Sequence, residues 1–307
     1  MSRMYLLQDN LTPVPPAAIE DEDARVVAVF SSRELASQGF STPDKRESLL
    51  YLSTVENTYL DVFPDYLIGS FAVPNKKNPL ENPACFAFYL DTNHLMFLDE
   101  QDTCARLLDI IAKQGIVKKP SIPHCLYEFM KLLIKDDLTF LADLEDRMED
   151  IEERIMDTDV DNTNRTMLGY RRKLLRIDTY YQQLADMAGM LTENENRLFT
   201  HEESRLFAVL EKQAERLLKR SQTLKEYSLQ LRELYQTQID IQQNDTMKLF
   251  TVITVLFAPL TLIASWFGMN FQNMPGLDWN WGYPVIVVLS LVIIIAELIV
   301  FKRKKWL

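Results

Sequence analysis

The residues that staple small domains or clip metals are scarce: three cysteines and three histidines in 307 residues. Cys85, Cys104 and Cys125 show no CxxC spacing, so they read as reduced, partly buried thiols rather than a disulfide framework or a zinc site. His94, His124 and His201 are isolated, and His201-Glu202 lacks the second histidine of a zinc-protease helix. There is no Ser/His/Asp or Cys/His arrangement and no GxxxxGK[ST] loop, so neither an enzyme nor a nucleotide partner is expected, and no cofactor. Basic charge is also short. Lys and Arg number 33 against 44 Asp and Glu, a net charge of -11 that argues against a nucleic-acid partner and suits a protein that concentrates cations. The start, Met1-Ser2-Arg3-Met4, has no long apolar secretory core, so the N-terminal domain is expected in the cytoplasm.

Short alternating or apolar runs at Met4–Gln8, Ala24–Phe30, Tyr66–Val73, Cys85–Leu90 and Leu95–Leu98 predict strands, with helices at Lys45–Val55 and Thr103–Gln114. From about Pro123 the strand signals stop. Asp136–Asp157, Asn164–Leu191 and Glu202–Gln243 are long, charged and periodic. The expectation is an α+β cytoplasmic domain (mixed sheet with helices, long stalk helix) over residues 1–245, and a two-helix C-terminal transmembrane domain over 246–307. Within Phe140–Asp161 the acids Asp143, Glu145, Asp146, Glu149, Asp150, Glu152, Glu153, Asp157, Asp159 and Asp161 face only Arg147 and Arg154. They predict a solvated helix face, with Leu141, Leu144, Met148, Ile151 and Ile155 on the core side. The same acids would gather cations by long-range attraction.

Charge is absent from Leu249–Phe267, a run of about 19 residues that would reach roughly 28 Å as a helix, close to the hydrocarbon thickness of a bilayer. Tyr283–Phe301 is a second such run, interrupted only by Glu297. The segment 268–282 between them holds no Lys or Arg, whereas Lys248 precedes the first span and Lys302, Arg303, Lys304 and Lys305 follow the second. This asymmetry predicts both termini in the cytoplasm, with Trp266, Trp279, Trp281 and Tyr283 at the outer interface. Pro259 inside the first span frees the carbonyl of Val255, which points to a helix facing other helices or water.

Alternating steps of three and four from Asn244 meet Met247, Thr251, Thr254, Ala258, Thr261 and Ser265, a small or polar seam between large apolar neighbours. A mean spacing of 3.5 keeps such a seam along the axis of a left-handed bundle. Close helix packing also uses small and hydroxylated residues. Two spans cannot enclose a pore, so a pore requires several copies.

At the outer end of the first span stands Gly268-Met269-Asn270, followed by Phe271, Asn273-Met274-Pro275 and Gly282-Tyr283-Pro284, with a basic tail from Lys302. Together with Met247-Lys248 and Pro259-Leu260-Thr261, this closely resembles the CorA family of magnesium channels over roughly residues 244–307. The resemblance implies a CorA-like homopentamer, a stalk helix running into the pore-lining span, and selection at Gly268, Met269 and Asn270. It places Asn244 at the inner end of the pore, Thr261 within it, and the gate at Met247 and Phe250. Ala258 stands where a bulkier Met is common. Gly276 replaces the usual acid after Met-Pro, leaving Asp278 to attract cations in the outer loop. Feedback by cytosolic Mg2+ is also implied. Val209 stands near the anticipated acid, and Glu211 and Glu215 are the nearby candidates.

Neutral amides suit that cargo. Mg2+ gives up its waters reluctantly, so carboxamide oxygens that accept hydrogen bonds from the ion's waters avoid the dehydration cost and still let the ion leave. Mg2+, with Co2+ or Ni2+ beside it, is the expected transported ion rather than a cofactor. A zinc or other transition-metal transporter of the same superfamily, and a membrane-tethered binding protein without transport, are the alternatives.

Overall fold

The computed structural model describes residues 3–15, 24–37, 43–115, 120–157, 163–269, 279–304 and 306. The acids Asp159 and Asp161 and the outer-loop residues Asn270 to Asp278 lie outside them. The chain divides into two compact units, 1–232 and 233–307, with the boundary inside one helix.

The first unit is built on a seven-stranded sheet. Its strands are β1 (Arg3–Leu7), β2 (Leu11–Val14), β3 (Val26–Phe30), β4 (Tyr59–Val62), β5 (Leu67–Val73), β6 (Ala84–Leu90) and β7 (His94–Leu98), in the spatial order β2-β1-β3-β7-β6-β5-β4. All pairings are antiparallel except β3 with β7, which runs parallel with Val27 opposite Leu95 and Val29 opposite Phe97. Because side chains alternate across a strand, the register sorts the core into two faces. Phe71, Phe86, Phe88 and Phe97 share one face. Val26, Ala28, Phe30, Ile68, Tyr89 and Leu98 share the other.

Helices cover both faces, which is why several strands read as continuous apolar runs. Leu35 of α1 (Ser32–Ser37) and Leu49 and Leu52 of α2 (Pro43–Leu52) pack on the Ile68 face. The phenylalanine face belongs to α3 (Thr103–Gln114) and α4 (Ile122–Leu133): Phe129 lies 4.5 Å from Phe97 and 5.8 Å from Phe86 between ring centroids. Local signals start these helices where expected. Buried Asp99 accepts from the Cys104 amide at 2.6 Å, and Ser121 caps α4 by accepting from the His124 amide, with Pro123 in the first turn. Gly115 ends α3 at φ 57°, a left-handed conformation that favours glycine.

Three long helices follow: α5 (Asp137–Met156), α6 (Thr163–Glu193) and α7 (His201–Phe267). The expected core side of α5, from Leu141 to Ile155, is buried. Thr200 and Glu203 start α7 with a reciprocal capping box, the Thr200 amide donating to the Glu203 carboxylate at 2.8 Å. From Phe207 onward the buried side chains of α7 in the first unit are Phe207, Leu210, Ala214, Leu217, Ser221, Leu224, Ser228 and Leu231. Their strict alternation of three and four is a coiled-coil seam. A polar latch interrupts it, for Asp178 of α6 accepts from Ser221 at 3.1 Å and from Lys225 at 2.6 Å.

The second unit holds the remainder of α7 and α8 (Gly282–Arg303). Pro259 stands inside α7 without ending it.

Candidate functional site

Both helices of the second unit contain stretches long and apolar enough to cross a membrane, and only 6% of each such stretch is buried by the chain itself. Leu249, Phe257, Leu262, Val288, Ile295 and Ile299 all stand exposed. So much uncovered apolar surface requires lipid or other copies of the chain around it.

What the chain does cover on α7 is informative. Val252 is buried, and Leu256, Pro259, Leu260 and Ile263 are half-buried. These five fall on one side of the helix. At about 100° per residue, Thr254, Ala258, Thr261 and Ser265 centre roughly 170° away, and all four are exposed. Asn244 and Met247 are exposed as well, and Thr251 is half-buried at the edge of the covered side. The polar seam therefore lies away from the side that α7 shows to its own chain. Phe250, at the inner end, is 59% exposed.

The seam has a chemical polarity. Thr251, Thr254 and Thr261 each donate their hydroxyl hydrogen to the carbonyl four residues back, on Met247, Phe250 and Phe257, at 2.8 Å in every case. The β-branched side chain makes this bond without leaving a helical rotamer. With its hydrogen committed, each hydroxyl has only lone pairs left to offer. A column of acceptors suits the waters around a cation, whose hydrogens point outward.

At the end of α7 the Gly268 amide donates to the Ala264 carbonyl at 2.9 Å, closing the last turn, and Met269 is exposed. Asn270 and Asp278 lie outside the described residues. Glu211 and Glu215 belong to the first unit, where they line a groove with Asp186 and Glu193 of α6. Among the described residues no three His, Cys, Asp or Glu side chains converge as a metal cage. The most voluminous cavity described, about 660 Å³ between α2, β4 and α6, also belongs to the first unit and contains none of the residues singled out in the sequence.

Other ionisable groups serve the fold. Buried Asp137, at the start of α5, has its carboxyl raised by burial against the pull of its ion pair with Lys76. Arg220 pairs with Glu145 and Tyr227 with Glu152, tying the acidic face of α5 to α7. Sequence reasoning named Glu211 and Glu215 on one flank of α7 but missed the basic cluster of Lys131, Lys135 and Arg216 on the other, for which the like-charged i,i+4 spacing Lys131/Lys135 was the available signal.

Comparison with known proteins follows the same lines. A cobalt/magnesium transport protein CorA of Thermotoga maritima is 28% identical over 194 residues, 63% of this chain and 55% of that protein. The magnesium transport protein CorA of Wolinella succinogenes is 51% identical over 77 residues, a quarter of each chain. The matched stretches thus span about half or less of these curated relatives. Among solved structures, the CorA magnesium transporter of Methanocaldococcus jannaschii superposes with a TM-score of 0.84 at 21% identity, covering 100% of this chain and 99% of that one. Full-length CmaX superposes at 0.74 with 18% identity, covering 99% and 97%. At these identities the superpositions establish the fold. Residues 41–303 match the family described as CorA-like Mg2+ transporter protein, and the chain belongs to that family.

Proposed function

We propose that the chain is one subunit of a passive, potential-driven divalent-cation channel, with hydrated Mg2+ as the main cargo and Co2+ as a second. The observation that carries this is the seam from Thr254 to Ser265, exposed on the side of α7 that its own chain leaves uncovered, with the hydroxyls of Thr251, Thr254 and Thr261 left as acceptors along it. In a homopentamer, α7 from each copy would bring that seam to a shared axis. Five Asn270 carboxamides would then form the outer selectivity ring, with Gly268 and Met269 setting the turn before it. Met247 and Phe250 would narrow the inner end, and Asp278 would draw cations to the outer mouth.

The relatives named above are called magnesium and cobalt/magnesium transport proteins, which supports the choice of ions. Both spans lie in the membrane on this reading, with both termini cytoplasmic by the Lys and Arg asymmetry. No coupled energy source is needed. Two charges entering down about 100 mV, inside negative, gain roughly 4.6 kcal/mol, enough for about a 10³-fold accumulation. Feedback by cytosolic Mg2+ belongs to the same reading.

Uptake by the reconstituted full chain tests it. Wild type should pass Mg2+, Asn270→Ala should lose at least tenfold in flux, and rising internal Mg2+ should reduce uptake. Flux indifferent to Asn270→Ala would remove the ring. Zn2+ outcompeting both Mg2+ and Co2+ would replace the cargo, and no flux at all would leave only a membrane tether.

A further inference from the structure

Two grooves flank α7 in the first unit, and their charges are opposite. One, of about 330 Å³ between α6 and α7, is walled by Asp186, Glu193, Glu211 and Glu215 with Met190 and Leu218, and has no Lys or Arg in its wall. The other, of about 310 Å³ between the α4–α5 corner and α7, is walled by Lys131, Lys135 and Arg216 with Ile134, Leu138 and Leu217, and has no Asp or Glu. Leu138 is 64% exposed there. Asp186 accepts from Gln182 at 2.9 Å, and Lys131 pairs with Glu128 at 3.2 Å. Among the described residues Glu193, Glu211 and Glu215 have no ion-pair partner, and neither have Lys135 and Arg216. Five charges are thus open to partners beyond the described residues of one chain.

Their placement on α7 says what the partner is. At about 100° per residue, the acidic side (Glu211, Glu215, Leu218) and the basic side (Gln213, Arg216, Leu217) point in nearly opposite directions. Both sides centre near residue 215, so at about 1.5 Å per residue their offset along the helix is only about 1 Å. A surface with complementary patches on opposite flanks makes a head-to-tail contact with a second copy of itself. Where the patches are also level, each copy joins the next without a rise along α7, so the series stays in one layer and closes as a ring when each contact adds a turn that divides the circle. An unrelated acidic or basic protein would satisfy one groove and leave the other open.

We propose that the basic α4–α5–α7 groove of one copy seats in the acidic α6–α7 groove of the next, with Lys135 and Arg216 pairing with Glu211 and Glu215 of the neighbour. The apolar floors, Ile134 and Leu138 on one side and Met190 and Leu218 on the other, close beneath the charges. This deepens the oligomeric reading given above and rests on it.

The full chain in detergent, weighed by native mass spectrometry and light scattering, provides the test. Glu211→Lys with Glu215→Lys, or Lys135→Glu with Arg216→Glu, should each raise the concentration at which the oligomer dissociates by at least tenfold. All four substitutions together should bring it back to within about threefold of wild type. In parallel, copies carrying Lys135→Cys mixed with copies carrying Glu215→Cys should form an intermolecular disulfide that neither forms alone. A wild-type oligomer untouched by both reversals, or no cross-link in the mixed sample, overturns the pairing and leaves the oligomer standing. A monomeric wild type removes the oligomer itself.

Discussion

Gly69→Ala sets two effects of opposite sign against each other. Gly69 pairs with Leu60 across β5 and β4, and an added Cβ would lie 2.5 Å from the Tyr59 carbonyl oxygen and 2.7 Å from the Phe88 ring. Comfortable contact needs about 3.5 Å, so something must move by roughly 1 Å. Phe88 cannot swing away, being fully buried with Phe71 at 5.3 Å and Phe97 at 6.5 Å. The edge strand β4 must therefore yield. Overpacking of this kind costs about 1–3 kcal/mol, whereas removing a glycine from the unfolded chain returns about 0.4–1 kcal/mol. Overpacking wins, and the net loss is about 1–2 kcal/mol. All four tryptophans lie between Trp266 and Trp306, so tryptophan fluorescence does not see this region. Hydrogen exchange does: amides of Tyr59–Val62 should lose roughly 5–30-fold in protection while those of α7 change little. Shrinking Phe88 to Leu in the same chain should restore part of the loss. Protection equal to or above wild type in Gly69→Ala would refute the reasoning.

Phe129→Ala opens a cavity among Phe71, Phe86 and Phe97 and should cost about 3–5 kcal/mol in urea unfolding followed by far-UV circular dichroism. Asp178→Ala unpairs Lys225, while the Ser221 hydroxyl keeps the Leu218 carbonyl at 2.8 Å, so the loss should be about 0.5–1.5 kcal/mol and should shrink in high salt. The Asp91–His94 pair should give a pH dependence. The hydrogen bond to Asp91 raises the His94 pKa against burial, while burial of Asp91 is outweighed by hydrogen bonds from His94 and Asn93, leaving its pKa lowered. A raised histidine stabilises fully below its unfolded pKa of about 6.5 and loses that contribution as pH rises through the folded value. The stability advantage of wild type over His94→Ala should therefore shrink between pH 6 and 8, and shrink again as Asp91 protonates in acid. Burial pushes the Cys125 thiol up to about 12 and Cys104 well above its ordinary range, with nearby Glu128 and Asp99 adding to each. A thiol reagent should label half-buried Cys85 alone in the native protein, slowly because burial and Glu56 raise that thiol too, and all three after unfolding.

The parts of the fold with a strong period were legible. The apolar runs became β1, β3, β5, β6 and β7 within a residue or two, and Thr103–Gln114 is α3 as expected. The strands β2 and β4 escaped because each is four residues long and carries an unfavourable residue, Pro13 in one and Asp61 in the other. Only pairing to a neighbour makes them strands. Helix α1 is too short to show a period at all. The polar seam was readable as a spacing, but its chemistry was not. Sequence gives three threonines; only the backbone geometry shows that each has turned its hydrogen inward. The grooves beside α7 needed residues about 80 positions apart, such as Lys135 and Arg216, to be brought together by tertiary packing.

The two short border strands have a consequence for crowding. A bare sheet edge recruits other edges, and aggregation through such borders is the common hazard of packing many copies closely. Here one border carries Pro13, which has no amide hydrogen to offer, and the other carries the negative charge of Asp61. Sheets stopped in this way do not zip onto one another, so high local density need not end in fibres, and contact between copies is left to the helices.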